Sequence, residues 1–229
     1  MSAFNLTQLI PNVGPEYAHV ATFGIASAVL LVTGLRARAA LGTGESSVVP
    51  SSRFSVRGLI ELITEYIDGL CTSVIGEHGR KFTPFFAALF TFILFNNLIG
   101  LLPGMTPATE NLNTTFAMGV FIFITYNFLG FKEAGLGYLK HFWGPFFGLG
   151  GLLVVLELIS HLVRPMSLGL RLGFVLLGDH TVMGVAYSIL PIGLPLPFYL
   201  LGLIVCFIQA LVFTLLSMVY VGMATAQHH

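Results

Sequence analysis

Between Pro145 and Leu190 the chain reads PFFGLGGLLVVLELISHLVRPMSLGLRLGFVLLGDHTVMGVAYSIL. No polar loop divides this run, and Glu157, His161, Arg164, Arg171, Asp179 and His180 interrupt an otherwise apolar stretch. As one continuous helix it would measure ~70 Å at a rise of ~1.5 Å per residue, whereas a hydrocarbon core is about 30 Å thick. The segment must therefore tilt strongly, bend or break. Pro165 is the natural bend, because it offers no N–H to the carbonyl of His161.

The rest of the chain agrees with a membrane setting. Of 229 residues, 55% are hydrophobic and 9% charged, against roughly a quarter charged in a soluble domain. A soluble globule of this size could not cover its surface with so few charges. A water-soluble enzyme, a nucleic-acid binder and a disordered chain are all disfavoured. Ten basic and ten acidic residues cancel, leaving no polycationic character to attract nucleic acid. Cys71 and Cys206 fall in unrelated segments and make no disulfide framework. Residues 1–17 lack the basic n-region of a signal peptide. The class is an all-α integral membrane protein.

Five stretches are read as membrane crossings: His19–Leu35, Phe82–Leu102, Thr115–Phe131, the long run from Pro145 to Leu190, and Phe198–Met223. Pro191–Pro197 reads as the turn before the last. Between Ser55 and Val74 the pattern differs. Val56, Leu59, Ile60, Ile63, Ile67, Leu70 and Val74 recur at helical spacing, with Arg57, Glu61, Glu65 and Asp68 largely on the other side. That predicts one amphipathic helix lying on the membrane. Arg36, Arg38, Arg53, Arg57, Arg80 and Lys81 lie between the first two crossings, and Lys132 and Lys140 follow the third. Loops 103–114 and 191–197 have no Lys or Arg. Basic loops stay cytoplasmic, so the N-terminus is expected outside and the C-terminus inside. The expected divisions are an external segment 1–18, the first crossing and linker 19–52, the interfacial helix 53–81, a hairpin 82–141, and a long helix pair 142–229 carrying the path for ions.

Charge at membrane depth costs several kcal/mol unless paired or hydrated; insertion scales give about 2.5–3.5 kcal/mol at the centre. Glu157, Arg164 and Arg171 stand seven apart, a spacing that returns each to nearly the same azimuth and makes a stripe on one helix. Arg164 either snorkels towards headgroups or belongs to the path. Arg171 has no acid three or four positions away, so its partner must come from elsewhere in the chain or from another subunit. Asp179 and His180 follow, with His180 half a turn round from Arg171 and able to exchange protons near neutrality. Glu157 and His161, four apart, could form a second relay pair, unless His161 merely hydrogen-bonds a carbonyl. Gln209 is the strongest polar group of the last crossing. Asn96 and Asn97 either line a wet cavity or bridge helices. No G-x-S-x-G, H-E-x-x-H, Walker or dinucleotide motif is present, so no enzymatic centre, cofactor or metal site is expected.

Pro165-Met-Ser-Leu-Gly-Leu-Arg171-Leu172 resembles the P-x-S-L-x-x-R-L signature of subunit a of the F-type ATP synthase. So do, in order, Ile75-Gly-Glu-His-Gly-Arg-Lys-Phe82, Asn96-Asn-Leu-Ile-Gly-Leu-Leu-Pro-Gly104, Asn111-Leu-Asn-Thr-Thr115, Gly137-Tyr-Leu-Lys-His-Phe-Trp-Gly-Pro145 and Ile208-Gln209-Ala-Leu-Val-Phe213. The likeness to the bacterial family covers about residues 54–224. It implies that the last two helices are long and tilted against a rotor ring of c subunits, with Arg171 the stator arginine facing that ring. It implies a membrane carboxylate at Glu157, a proton group at His180 and a glutamine opposite the arginine at Gln209. It further implies a non-catalytic, proton-conducting subunit of the membrane sector, with peripheral-stalk b subunits and the holoenzyme as partners, in a bacterial plasma membrane. The histidine favours H⁺ over Na⁺.

Three positions depart from the family pattern. Val175 stands where an Asn is usual, Asp179 where a small residue is usual, and Gly202 where some members carry a His. Gly202 cannot titrate, so His180 needs another partner, and Asp179 is adjacent. Two other classes compete. A secondary transporter usually shows a duplicated half, and no internal repeat is found. A metal enzyme using Glu157, His161, Asp179 and His180 would need two helices to converge.

Overall fold

The computed structural model describes residues 18–40, 56–102, 107–135, 150–189, 193 and 195–225. All regular elements among them are helical: α1 (Ala18–Ala40), α2 (Val56–Ile75), α3 (Thr83–Gly100), α4 (Leu112–Ala134), α5 (Gly150–Ile189) and α6 (Pro195–Thr225). Short 3₁₀ turns, Glu77–Phe82 and Ala108–Glu110, lead into α3 and α4. All but α2 are long and apolar enough to cross a membrane, which gives the expected five. The external segment up to residue 17, the linker from residue 41 to 52, and Lys140 lie outside the described residues.

Helix ends differ from the hydropathy reading for local reasons. The first crossing continues through Arg36 and Arg38 to Ala40, since a cation in the last turn suits the negative end of the helix dipole. The fourth described crossing, α5, begins no later than Gly150. Helix α4 begins at Leu112, not Thr115, because the Asn111 side chain accepts the Asn113 N–H at 2.9 Å and caps it. The last helix begins at Pro195, inside the expected turn; proline is pre-set for the first helical position.

Helix α5 is not broken at Pro165 and runs 40 residues through it. One ladder hydrogen bond is lost there, but α4 packs against the same stretch unusually closely. A methyl group at Gly119 would strike the Pro165 carbonyl, and one at Gly169 would sit 2.8 Å from the carbonyl oxygen of Thr115. A Cβ at Gly173 would lie 2.8 Å from Leu112 and 2.9 Å from the Thr115 hydroxyl. Small residues let the two backbones approach, as helices in lipid do, and that contact supports the helix across its proline.

The core is shared by α3, α4, α5 and α6. Phe86, Phe90, Ile93, Tyr126, Leu168, Leu172, Leu176, Phe213 and Met218 are buried at its centre. Helix α1 lies at one edge, against α3 and the Ala108–Glu110 turn. Helix α2 packs on α3 and α6, seating Ile67 and Cys71 in the core. Its apolar stripe is narrower than expected, for Leu59 and Val74 are exposed. The polar side of α2 is tied down: Arg57 meets Glu61 at 2.6 Å, Arg80 meets Asp68 at 3.3 Å, and the Thr83 hydroxyl donates to Asp68 at 2.7 Å. Lys81 pairs with Glu133 and so fastens the start of α3 to the end of α4. Burial pushes the Cys71 thiol up from its ordinary range; the hydrogen bond with Thr83 opposes this and the nearby Asp68 charge adds to it.

Candidate functional site

Every ionisable side chain singled out at membrane depth stands on α5, which therefore sets the geometry. Leu168, Leu172 and Leu176 occupy its buried face. Arg171 lies off that face and is exposed, with Phe174 and Val175, also exposed, one turn further on. Among the described residues nothing hydrogen-bonds or ion-pairs with the Arg171 guanidinium. Such a group cannot in practice lose its proton. It is thus a fixed positive charge on an otherwise apolar surface, open to whatever packs outside the chain.

Fourteen residues towards the N-terminus, Glu157 lies 3.9 Å from Arg164, in the spacing of the expected stripe. The Arg164 guanidinium also stands 5.7 Å from the centre of the Tyr220 ring on α6, a cation–π contact. His161, buried, turns onto α4. The Asn127 amide donates to the Phe123 carbonyl at 2.7 Å, which leaves its oxygen to accept from the His161 Nε2–H at 2.9 Å. The Tyr126 hydroxyl lies 3.2 Å from Nε2 and 3.4 Å from Nδ1. The imidazole is therefore held on α4 by two neighbouring residues, Tyr126 and Asn127.

Nine residues beyond Arg171, His180 faces the protein, as its half-turn offset predicts. Its hydrogen-bonded acid is not the adjacent Asp179 but Glu110, whose Oε2 lies 3.2 Å from Nδ1. The reason is direction: neighbouring residues on a helix point about 100° apart, whereas the Ala108–Glu110 turn packs directly on α5. Asp179 leans towards α6. Its Oδ2 would be 2.8 Å from a Cβ at position 202, and it is buried with no hydrogen-bond partner. Gly202 therefore leaves the room that the Asp179 carboxylate fills.

Asn97 bridges helices. Its amide donates to the Cys206 carbonyl at 3.4 Å, and its oxygen accepts from the Thr109 hydroxyl at 2.8 Å. The amide of its neighbour Asn96 donates to the Phe92 carbonyl, but the Asn96 oxygen is buried and unmatched, like Asp179 Oδ2. Gln209 is buried on α6. Among the described residues no cluster of His, Cys, Asp and Glu could hold a metal. An open groove of about 580 Å³ lined by Leu101, Leu196, Pro197, Tyr199, Leu200 and Leu203 lacks charged residues.

Glu110, Tyr126, Asn127 and Tyr220 were missed by the sequence reading. Glu110 was visible as the one charged residue of loop 103–114, and Asn127 as an amide within a crossing. Nothing local identified what they would touch.

The sequence profile of the family described as ATP synthase A chain matches residues 21–222, reaching further towards the N-terminus than the motifs do. The chain is 60% identical to ATP synthase subunit a of Bdellovibrio bacteriovorus over 228 residues, covering 99% of this chain and 100% of that one. It is 41% identical to ATP synthase subunit a of Trichlorobacter lovleyi over 201 residues, 88% of this chain and 84% of the relative. Against ATP synthase subunit a 2 of Syntrophotalea carbinolica the identity is 38% over 213 residues, 93% and 88% of the two chains. By profile, identity and helical architecture together, this chain belongs to the ATP synthase A chain family.

Proposed function

We propose that this chain is the proton-translocating stator subunit of an F-type ATP synthase membrane sector, non-catalytic in itself. In this reading a ring of c subunits turns against it, peripheral-stalk b subunits brace it, and it sits in a bacterial plasma membrane with its N-terminus outside. The observation that carries it is a single unpaired guanidinium, Arg171, on an exposed face of α5 between two polar clusters. Glu157 and His180 are 23 residues apart, ~34 Å along a helix at ~1.5 Å per residue. On a tilted helix in a core about 30 Å thick, that separation supports one cluster on each side of Arg171 in depth.

A carboxylate on a neighbouring rotor holds its proton while it faces lipid, and is pushed to ionise beside a fixed cation. Arg171 attracts each arriving carboxylate without passing protons itself, and so separates an inlet from an outlet. His180 and Asp179 feed the outer half-path. Glu157, His161 and Arg164 line the inner one, and Gln209 is the glutamine opposite the arginine. The unmatched oxygens of Asp179 and Asn96 suit bound water, which would carry protons where Val175 cannot. Of the proposed divisions, 142–229 carries most of this machinery. Each proton crossing 100 mV releases ~2.3 kcal/mol, so several are combined per ATP.

The test is Arg171→Ala in the assembled complex. Proton-driven ATP synthesis in membrane vesicles falls at least a hundredfold while the soluble head still hydrolyses ATP. Synthesis at the unsubstituted rate in that variant would falsify the reading.

A further inference from the structure

We propose that Glu110 is the outermost proton-handling residue of the outer half-path, passing protons from the water outside to His180. The inference rests on the function proposed above and adds a residue from a different element of the chain. Its basis is the contact between Glu110 Oε2 and His180 Nδ1 at 3.2 Å, made across 70 residues of sequence.

Three features make this contact more than a chance surface pair. First, the turn bearing Glu110 is fixed on both sides. Ala108 and Thr109 are fully buried, Thr109 is bonded to Asn97 and through it to α6, and Asn111 caps α4. Second, wetness falls in the direction of travel: the Glu110 side chain is 27% exposed and that of His180 16%. Third, the next acid inward, Asp179, is adjacent to His180 and has a buried unmatched oxygen. Carboxyl, imidazole and carboxyl thus follow one another from water towards the interior.

The proton balance closes on these groups. Glu110, protonated by outside water, gives its proton to Nδ1. The imidazolium turns, releases that Nδ1 proton inward, and turns back in the neutral Nε2–H form while Glu110 takes up the next proton. The elements packed against the turn are α1, α3, α4 and α5. Their titratable and charged groups are His19, Arg36 and Arg38 on α1, Tyr126, Lys132 and Glu133 on α4, and Glu157, His161, Arg164, Arg171, Asp179, His180 and Tyr187 on α5. Among the described residues α3 has none. Of these, His180 is the group in contact with Glu110.

The experiment uses the holoenzyme in proteoliposomes whose lumen corresponds to the outside, with ATP synthesis driven at constant total driving force while lumen pH varies. Glu110→Gln keeps the shape and a hydrogen-bonding oxygen but cannot carry a proton. It lowers synthesis about fivefold or more, and the lumen pH for half-maximal rate moves towards acid, since fewer proton-holding groups stand at the mouth. Glu110→Asp keeps a carboxylate and restores the unsubstituted pH profile at a reduced maximum. An unchanged profile in Glu110→Gln overturns the proposal, as does a Glu110→Asp profile displaced like that of Glu110→Gln. If Glu110→Gln fails to assemble, the Glu110→Asp profile decides alone. Arg171→Ala is the separate control: it abolishes synthesis at every lumen pH, and if it does not, the underlying function fails rather than the role of Glu110.

Discussion

The two ends of α5 satisfy their charges in different ways. Towards the N-terminus, Glu157 and Arg164 answer each other on one helix, and His161 is held by the neutral amide of Asn127. Towards the C-terminus, His180 is answered by a carboxylate from a turn 70 residues upstream, and Asp179 fills space that a missing side chain on α6 leaves open. The first arrangement is local and readable as spacing; the second exists only once the helices have packed. A change to the packing therefore threatens the outer end more than the inner one, while Arg171, exposed between them, depends on both helices being correctly rotated.

The largest disturbance of this contrast comes from the α4–α5 contact. Gly169→Val places a branched side chain where even a Cβ would be 2.8 Å from the Thr115 carbonyl oxygen. Overpacking of this kind costs about 1–3 kcal/mol or more, and here the backbone must move. The expected result is loss of most of the subunit from the membrane, with melting of the remaining complex shifted well down. Gly178→Ala, on the same helix but with nothing within 4 Å of its Cβ, leaves both measures unchanged. Equal behaviour of the two variants would show that the glycine contact does not hold α5 in register.

A smaller effect separates the ends. Asn127→Leu removes a close hydrogen-bond partner of the buried His161 ring, a loss of about 1–3 kcal/mol. Thermal stability of the complex should fall by that amount, and proton-driven synthesis per assembled complex should fall severalfold. Should stability fall while synthesis per complex holds, His161 is a packing residue, and the inner path reduces to Glu157 and Arg164.

What could be read from the sequence follows the same division. Spans, the amphipathic α2, the stripe of Glu157, Arg164 and Arg171, and the opposed azimuth of His180 all depend on neighbours within a few turns, so periodicity carries them. The partner of His180, the acceptor of His161 and the glycine contact at Gly119, Gly169 and Gly173 join residues 34 to 70 positions apart, and no periodicity encodes such pairs. Helix ends fall between: Pro195 and Asn111 are recognisable start signals, yet hydropathy alone set the limits a few residues away. Pro165 was read by its lost hydrogen bond, and the helix continues because α4 closes over it.

The finest test concerns the inner ion pair. At 3.9 Å, with side chains 25% and 36% exposed, Arg164 and Glu157 stand at the outer limit of an ion pair. Half-exposed pairs contribute about 0–1 kcal/mol, and side-chain hydrogen bonds within membranes average about 0.6 kcal/mol. A double-mutant cycle of Glu157→Gln and Arg164→Gln, read as thermal stability of the complex, should therefore give a coupling below ~1 kcal/mol. Each single variant should still reduce synthesis more than it reduces stability, because the charges serve the path rather than the fold. A coupling of several kcal/mol would mean instead that this end is a structural clamp, and the contrast between the two ends of α5 would then be one of stability rather than of proton handling.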